Sequence, residues 1–174
     1  GSSGTVSAFS GSVITLENSG DAYFQILHPN ADQSGLIFGT DANNQAGGIY
    51  YNRAVSGGLD FRVNGDVLKM YIDGTGDVGI GTDSQHSAAK LHINSNNSNI
   101  LGPHIVYTTA SDTYPLYQQL NWTHDNISMN FDSYYDGTWR SSDAGSNFQI
   151  YKTSDQFQIS YDTGITAGDN YLSG

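Results

Sequence analysis

Apolar residues in this chain fall in short runs that alternate with polar positions, and turn residues separate one run from the next. Val13-Ile-Thr-Leu16 is followed by the turn Asn18-Ser-Gly-Asp21 and then by Tyr23-Phe-Gln-Ile-Leu27. Pro29-Asn-Ala-Asp32 breaks that run before Gly35-Leu-Ile-Phe38, and Asp41-Ala-Asn-Asn44 with Gly47-Gly48 forms a turn before Ile49-Tyr-Tyr51. In Leu59-Asp-Phe-Arg-Val63, the side chains of Leu59, Phe61 and Val63 share one face, because a strand alternates its side chains with a period of two. Asn64-Gly65 is the strongest short hairpin signal in the sequence. It joins that run to Val67-Leu-Lys-Met-Tyr-Ile72, with Leu68, Met70 and Ile72 as the expected apolar face.

The pattern resumes at His104-Ile-Val-Tyr107, Leu116-Tyr-Gln-Gln-Leu120, Ile127-Ser-Met-Asn-Phe131, Asn147-Phe-Gln-Ile-Tyr151 and Gln156-Phe-Gln-Ile-Ser-Tyr161. In the last run Phe157, Ile159 and Tyr161 alternate with polar residues, the mark of an antiparallel strand with one buried face. No window of eleven residues carries helical periodicity, and Asp83-Ser-Gln-His-Ser-Ala-Ala-Lys90 supports a loop or one helical turn. The fold class is all-β.

The two halves share an order of features. Phe61 and Val63, a turn, the run to Ile72 and the Gly-rich exit 73–81 match Phe148 and Ile150, a turn, the run to Tyr161 and the exit Asp162-Thr-Gly-Ile-Thr-Ala-Gly168. The expected organisation is therefore two tandem antiparallel β modules, β-sandwich or β-prism like. Residues 1–10 are an N-terminal tail beginning with the cloning remnant Gly1-Ser-Ser-Gly4; the modules span 11–82 and 100–174, with a linker over 83–99 that contains the polar loop Asn94-Ser-Asn-Asn-Ser-Asn99.

Composition narrows the function. The apolar share is 37%, below the ordinary ~45–50%, so a single chain's core would be thin and burial between subunits is expected. The net charge is −11, and Glu17 is the only glutamate among seventeen acids, which ties the acidity to aspartate-rich turns. Six scattered Lys and Arg form no basic patch, so nucleic acid and anionic membranes are not expected partners. No cysteine is present and no apolar run approaches a membrane span.

The densest glycine cluster is Asp73-Gly-Thr-Gly-Asp-Val-Gly-Ile-Gly-Thr82. It lacks the order of a phosphate-binding loop, and a calcium loop would need further oxygen ligands and a closing glutamate, so it reads as turn chemistry. In a trimer, its glycines would let three chains approach a common axis. Asp77-Val-Gly-Ile-Gly-Thr82 followed by Lys90-Leu-His-Ile93 resembles the "G-N-V-G-I-G-T, then K-L-H-V" signature of viral fibre and phage tail-fibre proteins, with Asp83-Ser84 where the family has Ser-Pro. The run Asn121 to Phe131 and Trp139-Arg-Ser-Ser-Asp-Ala-Gly-Ser-Asn147 are similar to repeats in attachment proteins of large algal viruses. The resemblance implies an intertwined homotrimer on the virion surface, extracellular, that adheres to a host. No catalytic residue and no cofactor come with it.

The candidate binding residues are Trp122, His124, Tyr134, Tyr135, Asp136, Trp139 and Arg140. Aromatic faces stack on the C–H surfaces of sugars while Asp, Asn and Arg bind their hydroxyls, so the cluster points to host cell-surface polysaccharide. Tyr134-Tyr-Asp-Gly137 reads as a loop tip that would expose these groups. The alternative is that Trp122 and Trp139 fill the core or the subunit interface. The five histidines lack zinc-site spacing, and sixteen aspartates make any carboxylate pair uninformative, so catalysis is not expected. A structural shaft segment without ligand and a glycan-degrading tailspike-like enzyme stay open beside the adhesive reading.

Overall fold

The computed structural model describes residues 10–16, 18, 20–52, 57–96, 102 and 104–170. Most of the N-terminal tail, Glu17 and the end of the polar loop, Asn97-Ser-Asn99, lie outside the described residues. The described residues contain thirteen strands and no helix, and the sheets are chiefly antiparallel. The chain divides into two compact units, residues 1–76 and 77–174, so residues 77–82 group with the second unit.

In the first unit, β1 (Ser34–Phe38), β2 (Gly47–Tyr51), β3 (Leu59–Val63) and β4 (Val67–Ile72) pair antiparallel in chain order. The β3–β4 hairpin turns where Asn64-Gly65 signalled it, with Asn64, Gly65 and Asp66 all at positive φ. Glycines 47 and 48 belong to β2 and not to a turn, since they pair with β1 and β3, and a Cβ on either would collide with a neighbouring strand's backbone. The runs 13–16 and 23–27, expected as strands, form none: they pair with no strand among the described residues, and Val13, Tyr23 and Leu27 stand exposed. A register shift between Phe61 and Arg62 inserts an extra residue in β4 and moves Leu68 to the Arg62 side, away from Met70 and Ile72.

In the second unit, β5 (Val78–Ile80) pairs in parallel with β6 (Leu91–Ile93). A five-stranded antiparallel sheet follows in the order β13-β12-β9-β8-β7. Its strands are β7 (His104–Tyr107), β8 (Tyr117–Thr123), β9 (Asn126–Phe131), β12 (Ser146–Thr153) and β13 (Gln156–Thr163). A hairpin of β10 (Ser133–Tyr135) and β11 (Trp139–Ser141) contacts β8, β9 and β12. Residues 83–90 contain only a turn, closed by Ala89 N donating to His86 O at 2.9 Å.

The glycine cluster is explained within one chain. A Cβ on Gly79 would lie 2.4 Å from Thr82 O, and one on Gly81, at φ +74°, would lie 2.1 Å from Asn94 O. These glycines admit the chain's own backbone, and nothing about a common axis is needed to account for them. The Asp73 carboxylate caps its own turn, accepting from Thr75 N and Thr75 Oγ1 at 2.8 Å each.

Both units bury a polar sheet face. In the first, Tyr50, Asp60, Arg62 and Tyr71 lie on the covered side, while Leu36, Phe38, Tyr51, Val63 and Val67 on the other side are exposed. In the second, Gln118, Ser128, Asn130, Asn147 and Gln149 are covered. The opposite face carries a row that crosses all five strands: Tyr161, Phe148, Phe131, Tyr117 and Tyr107. The alternation in 156–161 therefore marks a strand, but its apolar side is the open one.

Candidate functional site

The hairpin β10–β11 and the end of β8 bring several of the candidate residues together. Ser133-Tyr-Tyr135 is strand and the turn lies at Asp136-Gly137-Thr138, with Gly137 at φ 117°. Tyr134 and Tyr135 are thus strand residues and not a loop tip. The Asp-Gly pair was a readable hairpin signal for this. Gln118 pins the hairpin to the sheet, because its side-chain amide replaces a strand partner: Tyr135 N donates to its Oε1 at 2.5 Å and its Nε2 donates to Tyr135 O at 3.1 Å.

Trp122, Tyr135, Trp139 and Tyr151 form one aromatic cluster. Ring centroids are 5.1 Å apart for Trp122–Tyr135, 4.9 Å for Tyr135–Trp139 and 6.1 Å for Trp139–Tyr151, all near edge-to-face. Trp122 is buried, while Tyr135 and Trp139 keep part of their surface open. Tyr134 points elsewhere: it is buried and stacked on Tyr114 at 5.6 Å. Burial above all pushes its hydroxyl pKa up, with Asp136 and Tyr114 adding and Arg140 opposing.

Arg140 serves the fold. Its Nε donates to Asp136 Oδ2 at 2.8 Å, and its Nη1 donates to Gly168 O at 2.9 Å and Asn170 Oδ1 at 3.2 Å, holding the C-terminal exit against β11. Asp136 remains exposed, as does His124 in the β8–β9 turn, whose carbonyl accepts from Lys152 Nζ. Beside Trp122 and His124 lies an open recess of about 640 Å³, lined also by His92, Asn94, Asn121 and Thr123. His86 N donates to His92 Nδ1 at 3.2 Å, which assigns the ring proton to Nε2 in neutral His92.

A carboxylate group that the sequence reading did not single out lies around Asp132. Its pKa is raised, first by burial and then by Asp143 and Asp112. Asp132 also sits at φ 49°, a conformation asparagine tolerates better than most residues. A carboxyl whose folded pKa is raised binds its proton more tightly in the folded state. Its penalty is therefore full at neutral pH and disappears as pH falls below the unfolded value. Asp132→Asn should raise the melting temperature by ~2 °C at pH 7, and calorimetry at about pH 3 should find that gain gone.

No protein-family model matches this chain, and neither the curated proteins nor the solved structures contain a match.

Proposed function

We propose that this chain is a structural and adhesive segment of a homotrimeric viral fibre or attachment protein, displayed on the virion surface and meeting host cell-surface polysaccharide. One observation carries the reading. Among the described residues, the buried apolar side chains are Tyr50, Tyr71, Leu120, Trp122 and Tyr134, and the rest of the buried positions are Asn, Gln, Ser, Asp and Gly. So little apolar burial is a poor basis for independent stability, since burial of apolar surface is the main term that offsets chain entropy. A subunit of a larger β assembly has no such difficulty, because its neighbours complete the core. The resemblance of residues 77–93 to fibre proteins points the same way.

The adhesive part rests on Tyr135, Trp139, Asp136 and His124, which retain open surface near one another in the chain. A shaft without ligand is the second reading, favoured by the intramolecular ties that occupy Arg140 and Tyr134. Light scattering should give three times the 18.7 kDa chain mass, and a stable monomer would overturn the assembly. A glycan array separates the two readings. Binding abolished by Trp139→Ala supports adhesion, and an array without binding leaves the shaft.

A further inference from the structure

We infer that the open face of the five-stranded sheet in the second unit is where copies of this chain meet, aromatic row against aromatic row. The inference rests on the oligomeric reading above and adds the surface and its register.

Seven large side chains on this face, on β13, β12, β9 and β7, are 38 to 71% exposed, with Phe157, Ile159 and Tyr161 the most open. At about 200 Å² per large side chain, those fractions amount to roughly 800 Å², the share one partner contributes to an interface of standard size. It also exceeds the largest apolar patch of ~300–600 Å² typical of a monomer.

Charge identifies the occupant. The chain carries a net −11, yet the register places only one charged side chain on this face, Lys152, and its Nζ donates to His124 O and Asp125 Oδ1 at the β8–β9 turn. A basic partner would find nothing to pair with here. A second copy, equally acidic, can approach because the carboxylates are kept off this face. The layers are self-matching. The aromatic row is followed by a second level of Ile159, Ile150, Met129, Gln119 and Ile105, and then by Phe157, Lys152 and Ile127. With the symmetry axis along the strands, each layer meets its own kind.

The absence of cysteine permits a direct test. In the full chain, Ile159→Cys should be joined to a second copy by a short bismaleimide, whereas Thr138→Cys, in the exposed β10–β11 turn, should not. Ile159→Lys should lower the solution mass three-fold, to that of one chain, with an unchanged circular dichroism spectrum. If that variant fails to fold, the cysteine pair decides. A wild-type oligomer that cross-links through position 138 and not 159 overturns this surface and leaves the fibre reading standing. A wild-type monomer overturns both. A monomeric Ile159→Cys protein whose introduced thiol resists maleimide does so as well, and shows that another segment of the same chain covers the face.

Discussion

Arg62→Ala is expected to unfold the first unit at physiological temperature. Arg62 holds Asp60 by Nε at 2.9 Å and by Nη2 at 2.6 Å, and also reaches Asp66 by Nη1 at 3.2 Å. Asp60 is fully buried, at 0% exposure, and the guanidinium also lies 4.2 Å from the Tyr50 ring centroid. Building such a pair gains little, because desolvation offsets most of its attraction. Breaking it is different, since losing the guanidinium withdraws two donors and a counter-charge from a buried carboxylate, at ~3–5 kcal/mol. For a unit of this size that corresponds to a fall in melting temperature on the order of 15 °C. Arg62→Lys should fall between wild type and alanine, because an ammonium keeps the charge but cannot fork onto Asp60 while facing Tyr50. Calorimetry of the three proteins would read the series. An alanine variant within ~2 °C of wild type would mean that other groups or water hold Asp60 without Arg62.

How much of this was legible beforehand depended on whether the determinant was local. Asn64-Gly65 set the β3–β4 hairpin, and the alternation of Phe157, Ile159 and Tyr161 set β13, because turn chemistry and strand period are written within a few residues. The runs at 13–16 and 23–27 have the same local character but pair with no described strand, and partners are not encoded locally. The bulge at Lys69, which turns Leu68 away from Met70, left no mark in the apolar pattern. The face to be covered was the least legible feature. Alternation says that two faces differ, and apolar-in is the ordinary reading, but here Gln118, Asn130 and Gln149 go inside. The candidate site divided along the same line. Trp122, Tyr135 and Trp139 do gather, whereas the destinations of Tyr134 and Arg140 depended on Tyr114, Gly168 and Asn170, distant in sequence.

Asn130→Leu should show why that polar face is kept. Asn130 is completely buried between β8 and β12. Its Nδ2 donates to Gln118 O and to Ser128 Oγ at 3.0 Å each, and its Oδ1 accepts from Gln149 Nε2 at 3.0 Å. Leucine has a similar volume and would bury more apolar surface, yet it strands the Gln149 amide and the Ser128 hydroxyl. At ~1–3 kcal/mol for each stranded group, the second unit should lose about 3 kcal/mol, measurable by urea denaturation. Adding Gln149→Leu removes one of the two stranded groups, so the double variant should recover part of the loss, and strictly additive losses would refute the network. The recovered protein should differ in another respect. With apolar side chains on both faces, the sheet no longer distinguishes the side that β10–β11 covers from the side left open. Light scattering of the double variant should then show heterogeneous association in place of a single species, because the amide ladder fixes which face stays inside and leaves the aromatic row free for other copies.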